Sequence, residues 1–225
     1  MNIIIGPRLV EAYVGEYAGG KSEVAVNRSV ELAALGREVT LVDLDIVEPC
    51  YTLRPIKNEL QSKGVTVLAW ETKDTMGLGE AGNILKAENR WALRRTGDIV
   101  LDIGYGATGA KTLNLLEGAN SDPDLKIYVV LNIARPMTGN VQNIVDYILE
   151  LGKVHGLINN SHLGDETTAD IVQQGALMVD EAARHLKLSV VATTAVTEIA
   201  SLIGPMDIAG HPVRKLIRYM PRAFW

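Results

Sequence analysis

Residues Gly15-Glu16-Tyr17-Ala18-Gly19-Gly20-Lys21-Ser22 match the pattern G-x-x-x-x-G-K-[ST]. They follow an apolar run, Leu9 to Val14, and open a helix-like stretch, Ser22 to Leu35, that has Gly36 as its stop signal. Strand, glycine loop and helix in that order are the setting in which this pattern forms a phosphate-binding loop. Each residue type has a task in it. The glycines let the backbone turn its N–H groups inward around phosphates, Lys21 sets an ammonium against the β- and γ-phosphates, and the Ser22 hydroxyl is placed to ligate Mg²⁺. The positive end of the helix dipole adds to the attraction. The predicted phosphate-contacting residues run from Gly15 through Ser22 to Glu23.

Outward from the loop, apolar β-rich runs recur at Val39 to Val42, Val65 to Trp70, Ile99 to Ile103, Ile127 to Ile133, Gly156 to Ile158 and Ser189 to Thr193. Helical patterns at Glu80 to Arg95, Asn140 to Leu151 and Glu166 to Leu186 lie between several of them. The runs are apolar on consecutive residues, as strands covered on both faces must be. A single α/β domain spanning residues 1–225 is expected, with a mainly parallel, doubly wound sheet. Right-handed crossovers then bring ligands to the carboxyl ends of the strands.

Three of those ends carry chemistry besides the first. They are Val42-Asp43-Leu44-Asp45, Leu101-Asp102-Ile103-Gly104 and Asn159-Asn160. A carboxylate at the tip of an apolar strand is costly to bury without a partner, and Mg²⁺ or its waters supply one. Asp102 fits an acid that holds Mg²⁺ through water. Strand alternation sends Asp43 and Asp45 to one side, so both are expected to face the γ-phosphate, one steadying a Mg²⁺ water and one orienting the attacking water. The expected catalytic set is Lys21, Asp43 and Asp45, and the expected metal set is Ser22, Asp43 and Asp102.

Composition narrows the classes. The 225 residues are 47% hydrophobic and 22% charged, with a formal net charge of −5. That is enough for one ample core and gives no basic field for nucleic acid. Cys50 is the single cysteine and the four histidines are scattered, so no intrachain disulfide and no Cys or His metal cluster is expected. No run approaches the length of a membrane span, and a cytoplasmic protein is expected. The stretch 207–225 is set off as a tail. From His211 onward it carries four basic and no acidic residues and ends in Phe224-Trp225, a composition suited to an anionic surface, with peripheral membrane contact as the minor reading.

These features together resemble the CobQ/CobB/MinD/ParA nucleotide-binding family of SIMIBI-class P-loop ATPases. The likeness rests on Gly15 to Ser22, on Asp43-Leu44-Asp45 in the next strand, on Asp102-Ile103-Gly104 and on Asn159-Asn160. It implies ATP or ADP with Mg²⁺ as ligands, slow hydrolysis, and nucleotide-dependent contact with a protein partner or a role in cofactor maturation. It also implies that Asn159 or Asn160 reads the adenine edge. In ParA- and MinD-type members a lysine after the first loop glycine reaches across a sandwich dimer, and here that position is Glu16, so an ATP-driven sandwich dimer is not expected. A nucleotide-sensing module with little hydrolysis, and a ligase or kinase resembling dethiobiotin synthetase, are the competing readings.

Overall fold

Among the described residues eight strands form, most of them on apolar-rich runs, and all of them run parallel in one sheet. In the computed structural model, which describes residues 6–45, 53–69 and 87–220, they are β1 Val10–Gly15, β2 Val39–Leu44, β3 Val65–Leu68, β4 Asp98–Ile103, β5 Leu125–Leu131, β6 Gly156–Asn159, β7 Val190–Val196 and β8 Val213–Leu216. The spatial order is β3-β2-β4-β1-β5-β6-β7-β8, so β1 is an interior strand and the loop that follows it leaves from the carboxyl edge of the sheet. Every residue of β1, β2 and β4 is buried, as a sheet covered on both faces requires.

Pleating divides the core in two. Val10, Ala12 and Val14 of β1 pack on one face with Ile144, Ile148 and Val179, while Tyr13 packs on the other with Val24, Ala25 and Leu60. The first face is covered by helices α5 (Val141–Leu151) and α6 (Ala169–Leu186), the second by α1 (Lys21–Ala34) and α2 (Lys57–Ser62). Short helices α3 (Ala87–Arg90), α4 (Gly106–Ala110) and α7 (Thr197–Ile203) complete the described set. Gly36 acts as the expected stop signal, and Asn140, expected as the first helical residue, is instead a cap. Asn140 caps α5 by accepting the Asn143 N–H at 2.8 Å, and Gly36, at φ 79°, closes α1 by donating to the Ala33 carbonyl.

Three expectations need correction. The helix expected from Glu80 to Arg95 is, in its described part, only α3 followed by a separate tight turn at Ala92–Arg94. Residues 80–86 lie outside the described residues, as do Cys50, Trp70 and the final Phe224-Trp225. The helix expected from Glu166 begins at Ala169, because the Thr168 side chain caps it by accepting the Ile171 N–H. Within 207–225, Val213–Leu216 is the sheet's last strand, paired in parallel with Thr193 to Val196 of β7. Its four residues show no strong alternation, so periodicity alone does not reveal an edge strand. No described helix is long and apolar enough to cross a membrane.

Candidate functional site

The loop between β1 and α1 turns through two left-handed residues, Ala18 at φ 52° and Gly20 at φ 87°, and closes on itself where the Gly19 N–H donates to the Glu16 carbonyl at 3.1 Å. Gly20 is required twice over. Its φ suits glycine, and a Cβ there would stand 2.1 Å from Asn160 Nδ2. Asn160 explains the close approach: its amide donates to the Gly19 carbonyl at 2.9 Å while its carbonyl accepts the Thr194 hydroxyl at 2.8 Å. The end of β6 thus props the loop from below. Lys21, only 7% exposed, bends back so that Nζ bonds to the Glu16 carbonyl at 3.2 Å.

Ser22 and Lys21 lie beside Asp102 at the tip of β4. This carboxyl is 2% exposed, and burial, followed by the charge of Asp43, pushes its pKa up to about 8, against the pull of Ser22 and Lys21. Its Oδ1 is buried with no hydrogen-bond partner. Asp43, register partner of Asp102, is equally buried, and desolvation raises its pKa to about 6 although it accepts the N–H groups of Leu53 and Asp45, each at 3.1 Å. Asp45 lines the cavity while Asp43 braces the backbone that carries it. Asp45 follows the last residue of β2, Leu44, so strand pleating does not set its direction.

A cavity of about 390 Å³ opens over the loop, within the range of small-molecule sites. Lys21, Ser22, Asp45, Arg135, Asn160 and His162 line it. At one end Tyr17 meets Tyr105 edge-on, with ring centroids 5.5 Å apart. At the other, the segment after β8 crosses the start of α1. Glu23 accepts the N–H groups of Tyr219 and Met220 at 2.7 and 3.0 Å, and Asn27 exchanges two hydrogen bonds with the backbone of Ile217. Burial raises the Glu23 pKa despite those donors. An ion pair between Arg218 and Asp165 closes the rim. His162 is kept neutral, its pKa lowered by burial and then by Arg135 and Arg218.

Asn159 is not among the cavity residues. It is fully buried, donates to the Val172 carbonyl and Thr193 hydroxyl, and accepts from the Ser161 N–H and hydroxyl. Thr193 in turn donates to Asp207 at 2.5 Å, so Asn159 ties β6 to α6 and β7. Arg135, Tyr105, Arg218 and Met220 line the cavity without having stood out in the sequence. A basic residue just past an apolar strand is the one signal that could have found Arg135. Among the described residues no group of three or more His, Cys, Asp or Glu is arranged to hold a metal ion.

No protein-family model matches the chain, and no curated protein matches it. Solved structures do. The chain is similar to the signal recognition particle receptor FtsY from Elizabethkingia anophelis in complex with GDP, at TM-score 0.60 and 13% identity over 97% of this chain and 62% of that one. It is similar to the signal recognition particle 54 kDa protein from Aeropyrum pernix K1 in complex with GDP, at TM-score 0.57 and 15% identity over 99% of this chain and 47% of that one. A third likeness is to cell division protein FtsY from Thermotoga maritima, at TM-score 0.53 and 16% identity over 100% of this chain and 69% of that one. The chain spans between about half and two thirds of the length of these proteins. At such identities the likeness is one of architecture, and the chain has the α/β fold of P-loop nucleoside triphosphatases.

Proposed function

We propose that the chain binds ATP with Mg²⁺ at the Gly15–Ser22 loop and hydrolyses it slowly, the bound state serving as a switch for a partner protein or for cofactor maturation. One observation carries the reading. Lys21 and Ser22 of the glycine loop lie beside a buried Asp102 whose Oδ1 lacks any partner. An unsatisfied buried polar atom costs about 1–3 kcal/mol, and a hydrated cation held at the loop would remove that cost.

The residues fit Mg²⁺. Ser22 would hold it directly, and Asp102 through water, with Asp43 behind. Bound there, the ion would neutralise negative charge on the phosphates. The loop's N–H groups and Lys21 bind the phosphates, and Asp45, in the cavity, orients the water. Adenine suits the far end better than guanine. Guanine presents adjacent N–H donors that call for a carboxylate, and the one carboxylate lining that end, Glu23, is engaged by Tyr219 and Met220. The Asn160 amide retains one further donor and one acceptor site, which match an adenine edge. Self-association driven by ATP alone is not part of the reading, since Glu16 adds no cation to a facing subunit's phosphates.

Isothermal titration of the full chain with Mg·ATP, Mg·ADP and Mg·GTP, repeated on Lys21→Ala, tests it. Preferential ATP binding, weakened at least about tenfold in the variant, is expected. Equal affinity in the two proteins would overturn the assignment.

A further inference from the structure

The glycine loop itself contributes one cation, Lys21, whereas a triphosphate brings several negative charges. Two arginines line the same cavity. Arg218 is paired with Asp165 at the rim. Arg135 differs: its Nε is buried without a hydrogen-bond partner. Arg135 stands in the loop after β5, and the charge of its guanidinium is felt by His162, whose Nε2 would lie 3.6 Å from a Cβ on Gly20. Its place is therefore beside the phosphate loop.

The segment that carries Arg135 is cross-braced by hydrogen bonds, and the loop holds it. The Arg135 N–H donates to the Asn132 carbonyl at 3.0 Å, and the Thr138 N–H to the Arg135 carbonyl at 3.1 Å. The Asn132 side chain fastens the turn to β6 by accepting the Ala134 and His162 N–H groups and donating to the His162 carbonyl. From the other side, the Glu16 carboxylate accepts the Met137 N–H with both oxygens, at 3.2 and 3.1 Å, and its Oε2 lies 3.2 Å from the Thr138 hydroxyl. Glu16, the loop's acid, thus clamps the turn that delivers an arginine.

We propose that Arg135 is the second cation of the triphosphate site, supplied by the chain itself, and that Glu16 is the positioning residue that sets it there. The proposal rests on the nucleotide reading above. A planar guanidinium offers paired N–H donors to phosphate oxygens, and one whose donors are not satisfied internally gains most from them. Held on a hydrogen-bonded turn, it needs no reorganisation as charge develops on the terminal phosphate. This also gives Glu16 a role at a position where an acid would otherwise repel the ligand.

The test uses the full chain as wild type, Arg135→Gln, Arg135→Lys, Glu16→Gln and the Glu16→Gln/Arg135→Gln double variant. Mg·ATP and Mg·ADP affinities are measured by calorimetry and turnover by phosphate release, with thermal melting as a check on folding. Arg135→Gln should lower kcat/KM for ATP by at least about tenfold, a cautious figure beside the loss known for arginines acting on transferring phosphoryl groups. Arg135→Lys should recover part of it. Glu16→Gln should lower kcat more than it raises KM, and the double variant should be no worse than Arg135→Gln alone. If wild type binds and hydrolyses ATP and Arg135→Gln matches it, the proposal falls while the nucleotide reading stands. Additive losses in the double variant would remove the role of Glu16. If wild type binds no nucleotide, both readings fall together.

Discussion

Asp43 and Asp102 face each other as register partners on β2 and β4, two carboxyl groups buried to 2% exposure side by side at the carboxyl edge of the sheet. Burial, and then the charge of Asp43, raise the cost of ionising Asp102. In the unfolded chain Asp102 ionises near the ordinary value of 3.8; in the folded one it keeps its proton to about pH 8. Its contribution to stability is present in full below the unfolded pKa and is lost as pH rises toward the folded one, at about 1.4 kcal/mol per unit when the two states differ by a whole proton. Strain at such a site is accepted where a ligand relieves it.

Asp102→Asn should therefore stabilise the ligand-free chain more at pH 8 than at pH 5, by several degrees in Tm at the higher pH for a domain of this size, and should abolish Mg²⁺-dependent ATP binding. Melting curves at the two pH values, with and without Mg·ATP, measure both effects. A gain that is the same at pH 5 and pH 8 would show that Asp102 is ionised in the folded state.

The two asparagines that end β6 should separate by readout. Asn159→Ala leaves the Ser161 N–H and hydroxyl without their acceptor and takes a donor from Val172 and Thr193 in the core, and a buried group left unsatisfied costs about 1–3 kcal/mol. Large destabilisation is expected there. Asn160→Ala should cost less stability and more nucleotide affinity, because it releases the Gly19 carbonyl at the cavity wall. Urea denaturation and nucleotide titration on the pair decide it, and reversed roles would refute the assignment.

Gly20→Ala forces a left-handed alanine whose Cβ meets Asn160 Nδ2 at 2.1 Å. It should destabilise the fold by more than about 1 kcal/mol, the scale of left-handed strain alone, and weaken nucleotide binding. Combined with Asn160→Ala the steric part disappears while the backbone part stays. A sub-additive double-mutant cycle, followed by melting, is the expected result.

Asp45→Ala should leave stability nearly unchanged and reduce ATP turnover at least about tenfold, the lower range for removing a group that orients a reactant. Asp43→Ala should do both, since its carboxylate holds the Asp45 and Leu53 N–H groups. Phosphate-release rates beside chemical denaturation distinguish the two. Full turnover in Asp45→Ala would return that residue to a structural role.

The sequence by itself determined what depends on near neighbours. Consecutive apolar residues at Val39 to Val42, Ile99 to Ile103 and Ile127 to Leu131 require a strand covered on both faces, and Gly15 to Ser22 between a strand and a helix requires the turn that bares N–H groups. Cap residues Gly36, Asn140 and Gly152 act through bonds a few residues away. Only the tertiary structure decided which residues meet. Asn160 reaches Gly19 across 141 positions, Glu23 holds Met220 across 197, and Glu16 holds Thr138 across 122. Whether Asn159 or Asn160 points into the cavity, and whether Asp43 or Asp45 does, turns on where a strand's pleat ends and what packs behind it. Local pattern is a matter of backbone geometry over a few residues, whereas the site is assembled by strand order, which places distant carboxyl ends on one edge of the sheet.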